Sequence, residues 1–559
     1  MKPATRLERA QTLAALASAR AAGQSERQAA AAIGCPRSTL RDWSQSALAL
    51  GDAPAALAAF IATEAGVHWL HRLVLAIQFV ITLRAGGGVR LVSEVLELSG
   101  LSAFVGSSYG SQQALNAALE QALVDIAAEQ RQALATGMLP RQISVCEDET
   151  FHPAICLVAL EPVSNFILLE QYAEDRTAAT WTQALAAACA GLPVTVVQGT
   201  SDEATALRRH IERDHQAHHS PDLFHLQHEV AKATGLSLAR AVREADAEVA
   251  GSEAALQAER EAEQAYHQQR HGPGRPPAFA QRIQAALQRW ARASCERDQA
   301  QARQQEAKTL IRALGEAYHP FDLEHAEAQL PERLAERLSA IWQRLEALAD
   351  AADLPARARA HLAKAQRLNT ALLATIAFFF ASVQQRVETL NLAPGIEAAV
   401  LEQLIPAIYL ERVATRCSGA EQRQHLKELS AQRLAPLRAS DHPIQALEAS
   451  QRMEIEQVAS DCADLFQRSS STVEGRNGQL SLFHHGCHRL SSRKLAALLT
   501  AVHNFYIRRA DQTTAAERFF GQAPPSLFEQ LLERVPLPPR PRRRRPRAPK
   551  VSYLAPMAA

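Results

Sequence analysis

Strand-forming sequence is confined to one window of this chain, and that confinement limits the fold more than any other feature. Four short runs rich in β-branched residues, 143–146, 155–160, 165–172 and 194–197, fall inside it. A turn at Glu161-Pro162 follows the second run, and a helical pattern over 177–190 separates the third from the fourth. Three successive strands with short connections predict an antiparallel meander. A strand reached through a helix then pairs parallel with a neighbour. From Asp202 onward strand signals almost vanish, so the expected class is α+β, mostly α.

The ends of the chain differ from its body. Residues 1–50 read as three short helices, and 25–43, SERQAAAAIGCPRSTLRDW, has the spacing of a helix-turn-helix. Gly34 supplies the turn, Ala30 lets the helices approach, and Ile33, Cys35, Leu40 and Trp43 fall on the buried side. Pro36 can begin the second helix. Arg37, Ser38, Thr39 and Arg41 then lie on its outer, N-terminal side, where this motif contacts bases and phosphates. An ordinary helical hairpin with solvated arginines is the alternative.

Charge points the same way. The whole chain is near neutral, with 60 basic against 59 acidic residues. Yet 1–50 holds seven basic and three acidic residues, and 534–559 holds eight basic residues and no acid. Basic ends on a near-neutral body suit an anionic polymer, and with the helix-turn-helix spacing the expected partner is double-stranded DNA. The stretch 536–547, PLPPRPRRRRPR, cannot enter a core and is expected to be a disordered basic tail. The eight cysteines form no CxxC pair and no charged-then-apolar leader opens the chain, which predicts a cytoplasmic protein. The apolar runs 73–83 and 372–383 fall short of the roughly 20 residues a spanning helix needs, so no membrane partner is expected.

The expected organisation is a DNA-binding region over 1–50, a helical linker or second DNA-binding unit over 51–135, and a mixed α/β core over 136–235. A helical insertion then fills 236–440, with a coiled-coil-like hairpin at 245–314 broken by GPGRPP at 272–277. The second part of the core follows over 441–533, and the tail over 534–559.

Acids collect at strand ends. Asp148 follows the first strand in CEDETFHP and Asp202 follows the fourth in VTVVQGTSDEA, so neighbouring strands would bring both carboxylates to one sheet edge. Glu474, in RSSSTVEGRNGQLSLFHHG, opens a helix. Hard divalent ions take oxygen ligands. Two of them about 4 Å apart can activate an attacking oxygen and stabilise a leaving one at phosphorus. The histidines at 210, 215, 218, 219, 225 and 228 fit no regular metal spacing, and Asp222 reads as a cap or packing residue.

These blocks resemble the DDE transposases of bacterial insertion sequences, whose catalytic domain has a ribonuclease-H-like fold. The resemblance rests on EDETF, on GTSDEA with PDLFHL at 221–226, on RSSSTVEGRN, and on HNF at 503–505 through TTAAERFF at 513–520. It implies that Asp148, Asp202 and Glu474 form a catalytic, metal-binding triad assisted by Asn477. Two Mg²⁺ ions are implied, with Mn²⁺ able to substitute. It selects Asp148 over Glu147 and Glu149, which share the opposite strand face with Ile143 and Val145. The 272 residues from Asp202 to Glu474 imply that the helical insertion is looped out of the core.

The implied activity is cleavage at transposon ends and transfer of the 3′-hydroxyl into target DNA, by a homodimer or higher oligomer associated with the bacterial nucleoid. Arg476 is an expected phosphate contact, as are Arg489, Arg493, Lys494, Arg508 and Arg509. Two rival readings are a non-catalytic helix-turn-helix regulator or architectural protein, and a ribonuclease-H-like nuclease without strand transfer.

Overall fold

The structure, a computed structural model, describes residues 6–48, 55–152, 154–272, 274–487 and 498–539. The first three helices are α1 (Arg6–Ala21), α2 (Glu26–Ile33) and α3 (Arg37–Leu48). Ser25 starts α2 with a reciprocal capping box: its hydroxyl accepts the Gln28 N–H and the Gln28 side chain accepts the Ser25 N–H at 2.9 Å. Gly34 ends α2 at φ 69°, a left-handed turn that glycine adopts without strain. Leu16, Ala29, Ala30 and Leu40 form the small core of this unit, edged by Ile33 and Cys35. The Arg9 guanidinium lies 5.2 Å over the half-buried Trp43 ring.

Helices α4 (Ala55–Ile61), α5 (Glu64–Phe79), α6 (Val89–Leu98) and α7 (Tyr109–Thr136) follow. They pack on the core. Leu70, Val74, Phe79, Leu119, Leu123 and Ile126 share one core with Ile143, Val145, Phe166 and Leu168 of the sheet and with Phe505, Phe519 and Leu531 near the C-terminal end.

The sheet has five strands, β1 (Arg141–Phe151), β2 (Ile155–Glu161), β3 (Phe166–Ala173), β4 (Val194–Ser201) and β5 (His218–Pro221), in the order β3-β2-β1-β4-β5. β1, β2 and β3 pair antiparallel, and β4 and β5 extend the sheet in parallel from β1. β5 was not anticipated: its four residues, HHSP, carry no β-branched run and are recruited by pairing with Gln198–Ser201. Asp148 lies inside β1 rather than after it, because pairing with β2 continues to Phe151. Helix α8 (Ala178–Cys189) covers one face, setting Trp181, Ala184 and Leu185 on Leu157, Ala159 and Leu169. A short helix, α9 (Thr205–Arg209), follows β4.

After β5 the chain is helical. α10 (Leu223–His267) and α11 (Phe279–Ala317) form a long hairpin. Buried alanines at 286, 293, 300 and 307 recur every seven residues along α11, which keeps small side chains on the seam with α10 and lets the two backbones approach. Helices α12 (Pro331–Ala351), α13 (Ala356–Gln366), α14 (Asn369–Glu388), α15 (Pro394–Ala399), α16 (Ile405–Arg416), α17 (Ala420–Leu437) and α18 (Ala449–Leu465) complete this body. Tyr318, Trp342, Phe379, Tyr409 and Phe466 lie at its centre.

Two expected boundaries move. Residue 236 falls within the continuous helix α10. Residue 441 is too early, because Ile455, Ala459 and Cys462 of α18 pack into the helical body rather than onto the sheet. The return to the sheet comes with α19 (Ser471–Cys487), followed by α20 (Thr500–Phe505), α21 (Ala515–Phe520) and α22 (Leu527–Arg534).

Helical continuity also extends two apolar stretches beyond their sequence runs. Glu64–Arg84 and Ala356–Glu388 are each long and apolar enough to cross a membrane, by length and composition alone. Each nevertheless gives one face to a protein core, through Leu70, Val74 and Phe79 in the first and Leu372, Ile376 and Phe379 in the second. The basic tail from residue 540, with Arg489, Arg493 and Lys494, lies outside the described residues.

β4 approaches the π-helical turn His210–Asp214 closely at Gly199, where an added Cβ would stand 2.5 Å from Ile211 Cδ1 and 2.7 Å from Cγ1. Gly199→Ala is therefore expected to lower stability by about 1–3 kcal/mol, as overpacked cores do. Adding Ile211→Val should return part of that loss, as urea unfolding of the single and double variants would show.

Candidate active site

Strand register sets the site. Parallel pairing matches Cys146 to Thr200 and Thr200 to Ser220. Two residues further along each chain segment come Asp148, Asp202 and Asp222. Asp148 is still within β1, while Asp202 and Asp222 come directly after the ends of β4 and β5, so the three aspartates emerge at the same end of three adjacent parallel strands.

Alternation along β1 decides which way each acid turns. Asp148 shares its face with Cys146 and looks towards α19, where Asn477 Nδ2 donates to its Oδ2 at 2.7 Å. Glu147 turns to the opposite face, where its Oε1 lies 3.4 Å from His210 Nε2 with both side chains fully buried. Glu149 is ion-paired with Arg176.

Helix α19 brings a fourth acid. Val473 and Leu480 bury against Cys146, Cys156, Val158 and Ile167 of the sheet. Glu474 and Asn477 sit three residues apart and so share one side of the first turns. The chain entering α19 is tied down by Asp222: the Ser470 N–H donates to Oδ1 at 3.3 Å and its hydroxyl to Oδ2 at 2.7 Å. Asp222 also caps α10 by accepting the Phe224 N–H at 2.9 Å, and it accepts from His225 Nδ1 at 2.7 Å. The carboxylates of Asp222 and Glu474 and a ring nitrogen of His225 all lie within 4.8 Å of one another.

Burial and like charge set the electrostatics. Burial first, then the charges of Glu149, Glu474 and Asp202, push the Asp148 carboxyl up to about 7, against a hydrogen bond from the Glu149 backbone that lowers it. Burial would raise Asp222 as well, but the bonds from His225, Ser470 and Phe224 outweigh it and hold that carboxyl below its ordinary value. His225 is raised, first by its bond to Asp222, against desolvation, and then by the charges of Asp222, Asp202 and Glu474.

Oxygen donors pressed together until one takes up a proton near neutrality form a set that a divalent cation relieves. The charges of Asp202 and Glu474 act on Asp148, which makes these three acids the candidates for that role, although the three together are not among the groups whose ligand atoms stand within 4.8 Å of one another. Asp222 is not a candidate, because each of its oxygens already accepts two hydrogen bonds. A second group, Asp322, Glu324 and His325, is a turn in which Asp322 Oδ1 accepts the Glu324 and His325 N–H groups while Arg337 takes Oδ2.

The expected DNA contacts divide. In α3, Arg37 and Arg41 are exposed and both reach Glu26, at 3.2 and 3.0 Å, while Ser38 is exposed and Thr39 half-buried. Arg476 requires correction. It is 7% exposed and forms a bidentate pair with Glu170 of β3 at 2.6 and 2.9 Å, so its guanidinium is spent inside the fold. Arg508 and Arg509 donate to the carbonyls of Gln512 and Val163.

The six histidines scatter. His210 bonds Thr182 at 2.9 Å, His218 stacks on Phe378, His219 meets Ser201 at 3.0 Å, His228 stacks on Phe224, and His215 meets the His210 ring edge-on. His225 reaches the acids. Asp222 is the cap expected from the sequence, and the Asp-x-x-His spacing of PDLFHL is what sets His225 apart from the other histidines.

Two measurements follow from this geometry. The folded value of Asp148 lies above its ordinary 3.8, so between about pH 4 and about 7 the folded chain holds a proton that the unfolded chain has released. Stability without metal therefore falls as pH rises through that window and stays low above it. Asp148→Asn should remove the slope and raise the melting temperature at pH 7.5 in EDTA by a few degrees, which thermal melts across pH 5–8 would register. Arg476→Ala leaves Glu170 buried and unpaired, and is expected to cost about 3–5 kcal/mol in urea unfolding. A residue that served only as a phosphate contact would leave stability within about 0.5 kcal/mol.

A profile described as a family of unknown function, DUF6399, matches residues 400–547, a stretch that includes α16 to α22 and hence Glu474 and Asn477. No curated protein and no solved structure matches the chain.

Proposed function

We propose that this chain is a DDE-type transposase, a metal-dependent enzyme that cuts DNA at transposon ends and transfers the freed 3′-hydroxyl into target DNA. The observation that supports the reading is that the buried carboxyl of Asp148, on β1, feels the charges of Asp202, just past the parallel strand β4, and of Glu474, on a helix 272 residues after Asp202. A strand order of β3-β2-β1-β4-β5, with helices on both faces, agrees with a ribonuclease-H-like core.

In this reading Asp148, Asp202 and Glu474 hold Mg²⁺, or Mn²⁺ in its place. Bound there, two such ions would activate the attacking oxygen and stabilise the leaving one at phosphorus. Asn477 fixes the Asp148 carboxylate through Oδ2. Asp222 fixes the start of α19, so it positions Glu474 rather than acting on substrate. No serine or cysteine nucleophile is needed, because both steps are direct displacements at phosphorus.

End recognition falls to α2 and α3, which we read as a helix-turn-helix, with Arg37, Ser38, Thr39 and Arg41 on the outer face of the second helix. Double-stranded DNA is the partner, held by a homodimer or higher oligomer that brings two ends together. The test is incubation of the purified protein with a fragment carrying the sequences that flank its gene, in Mg²⁺ or EDTA, beside Glu474→Gln. Metal-dependent cleavage at the ends that falls at least 100-fold in the variant is the expected outcome. Salt-sensitive binding with no cutting by either protein would replace this reading with that of a DNA-binding regulator. Cutting without joined products would leave a nuclease.

A further inference from the structure

We propose that His225 is a further catalytic residue of this site, a general acid that protonates the 3′-oxygen as it leaves phosphorus. The inference rests on the nuclease reading above and deepens it. Its geometric basis is a dyad. Asp222 Oδ2 accepts the Nδ1–H of His225 at 2.7 Å, which fixes the ring and leaves Nε2 as the working nitrogen. Nε2 has no hydrogen-bond partner among the described residues, and the side chain is 40% exposed, so the free edge is open to a bound strand.

Asp222 cannot drift, because the Ser470 hydroxyl shares Oδ2 with His225 while the Ser470 and Phe224 N–H groups donate to Oδ1. The ring is thereby held within 4.8 Å of Glu474 without an ion pair to it. A phosphate bound at Glu474 would thus lie near this ring.

The bond to Asp222 favours the protonated ring, and the other acids that face it are Asp202 at the end of β4 and Glu474 on α19. His228, one turn along α10, is stacked on Phe224 at 5.9 Å.

The step balances without an added reactant. Water oxygen bonds to phosphorus and releases a proton to solvent. The P–O3′ bond breaks and its electron pair goes to O3′. The Nε2 proton passes to O3′, giving the 3′-hydroxyl and a neutral imidazole that solvent reprotonates. An alkoxide is a poor leaving group and gains most from a placed acid, typically 100- to 10,000-fold.

The experiment compares two DNA substrates that differ in one atom, with oxygen or sulfur as the bridging 3′ atom of the scissile phosphate. Both are cut by full-length protein in Mn²⁺ under single-turnover conditions. A thiolate departs without a proton, so His225→Gln should lose about 100-fold or more on the oxygen substrate and return to within about fivefold of wild type on the sulfur one. Asp222→Asn, which frees the ring, should show the same pattern in weaker form where it folds.

Glu474→Gln should stay inactive on both substrates. Mn²⁺ binding measured by electron paramagnetic resonance and the melting temperature of His225→Gln should match wild type, which separates loss of the acid from damage to the ligand set. Equal loss on both substrates, or no loss on either, overturns the inference while the nuclease reading stands. Failure of the wild type to cut either substrate overturns that reading, and the inference falls with it.

Discussion

The carboxylate of Asp222 is the joint on which the arrangement depends. Four donors converge on it, from Phe224, His225 and twice from Ser470. Through them one buried side chain ends β5, starts α10 and anchors the entry to α19, so residues on either side of a very long excursion meet at a fixed distance. An unpaired carboxylate at this depth would be strongly disfavoured. Four hydrogen bonds make it a hub, and the neighbouring bond from the Leu223 N–H to the Arg468 carbonyl, at 3.0 Å, reinforces the same seam.

The excursion itself is tolerated because it folds. Closing a flexible loop costs entropy that grows only with the logarithm of its length. The residues between α10 and α18 also have their own aromatic core around Trp342, Phe379 and Tyr409. The heptad alanines of α11 hold the hairpin together, and α18 delivers the chain back beside the point where α10 left. The Ser144 hydroxyl donating to the Leu465 carbonyl at 3.3 Å marks the place where the helical body hands the chain to the sheet.

Much of this was legible in the sequence, for local reasons. β-branched runs marked four strands and Gly34 marked the turn after α2, while the acids at 148, 202 and 474 were picked out by the resemblance of the blocks around them. What was not legible depends on contacts distant in sequence. β5 exists because β4 offers it an edge, since HHSP has no strand pattern of its own. Arg476 looks like a solvated cation until Glu170, 306 residues away, is placed beneath it. Asp222 reads as an ordinary cap because capping is indeed one of its tasks, and its other partners lie in a block 248 residues on. For residues 51–135 the sequence left a DNA-binding unit and a helical linker packed on the core both open, because amphipathic helices show that a face is buried without showing against what.

Chain order gives the placement of Glu474 a consequence in time. During synthesis the α1–α3 unit and all five strands leave the ribosome long before α19 does. A polypeptide that stops anywhere in the helical body would have the N-terminal helices and both strand-borne aspartates, Asp148 and Asp202, but neither Glu474 nor the Ser470 anchor. If the N-terminal helices grip DNA, every prematurely ended copy would compete for the same ends without being able to act on them. Errors of translation would then restrain the intact protein rather than add to it.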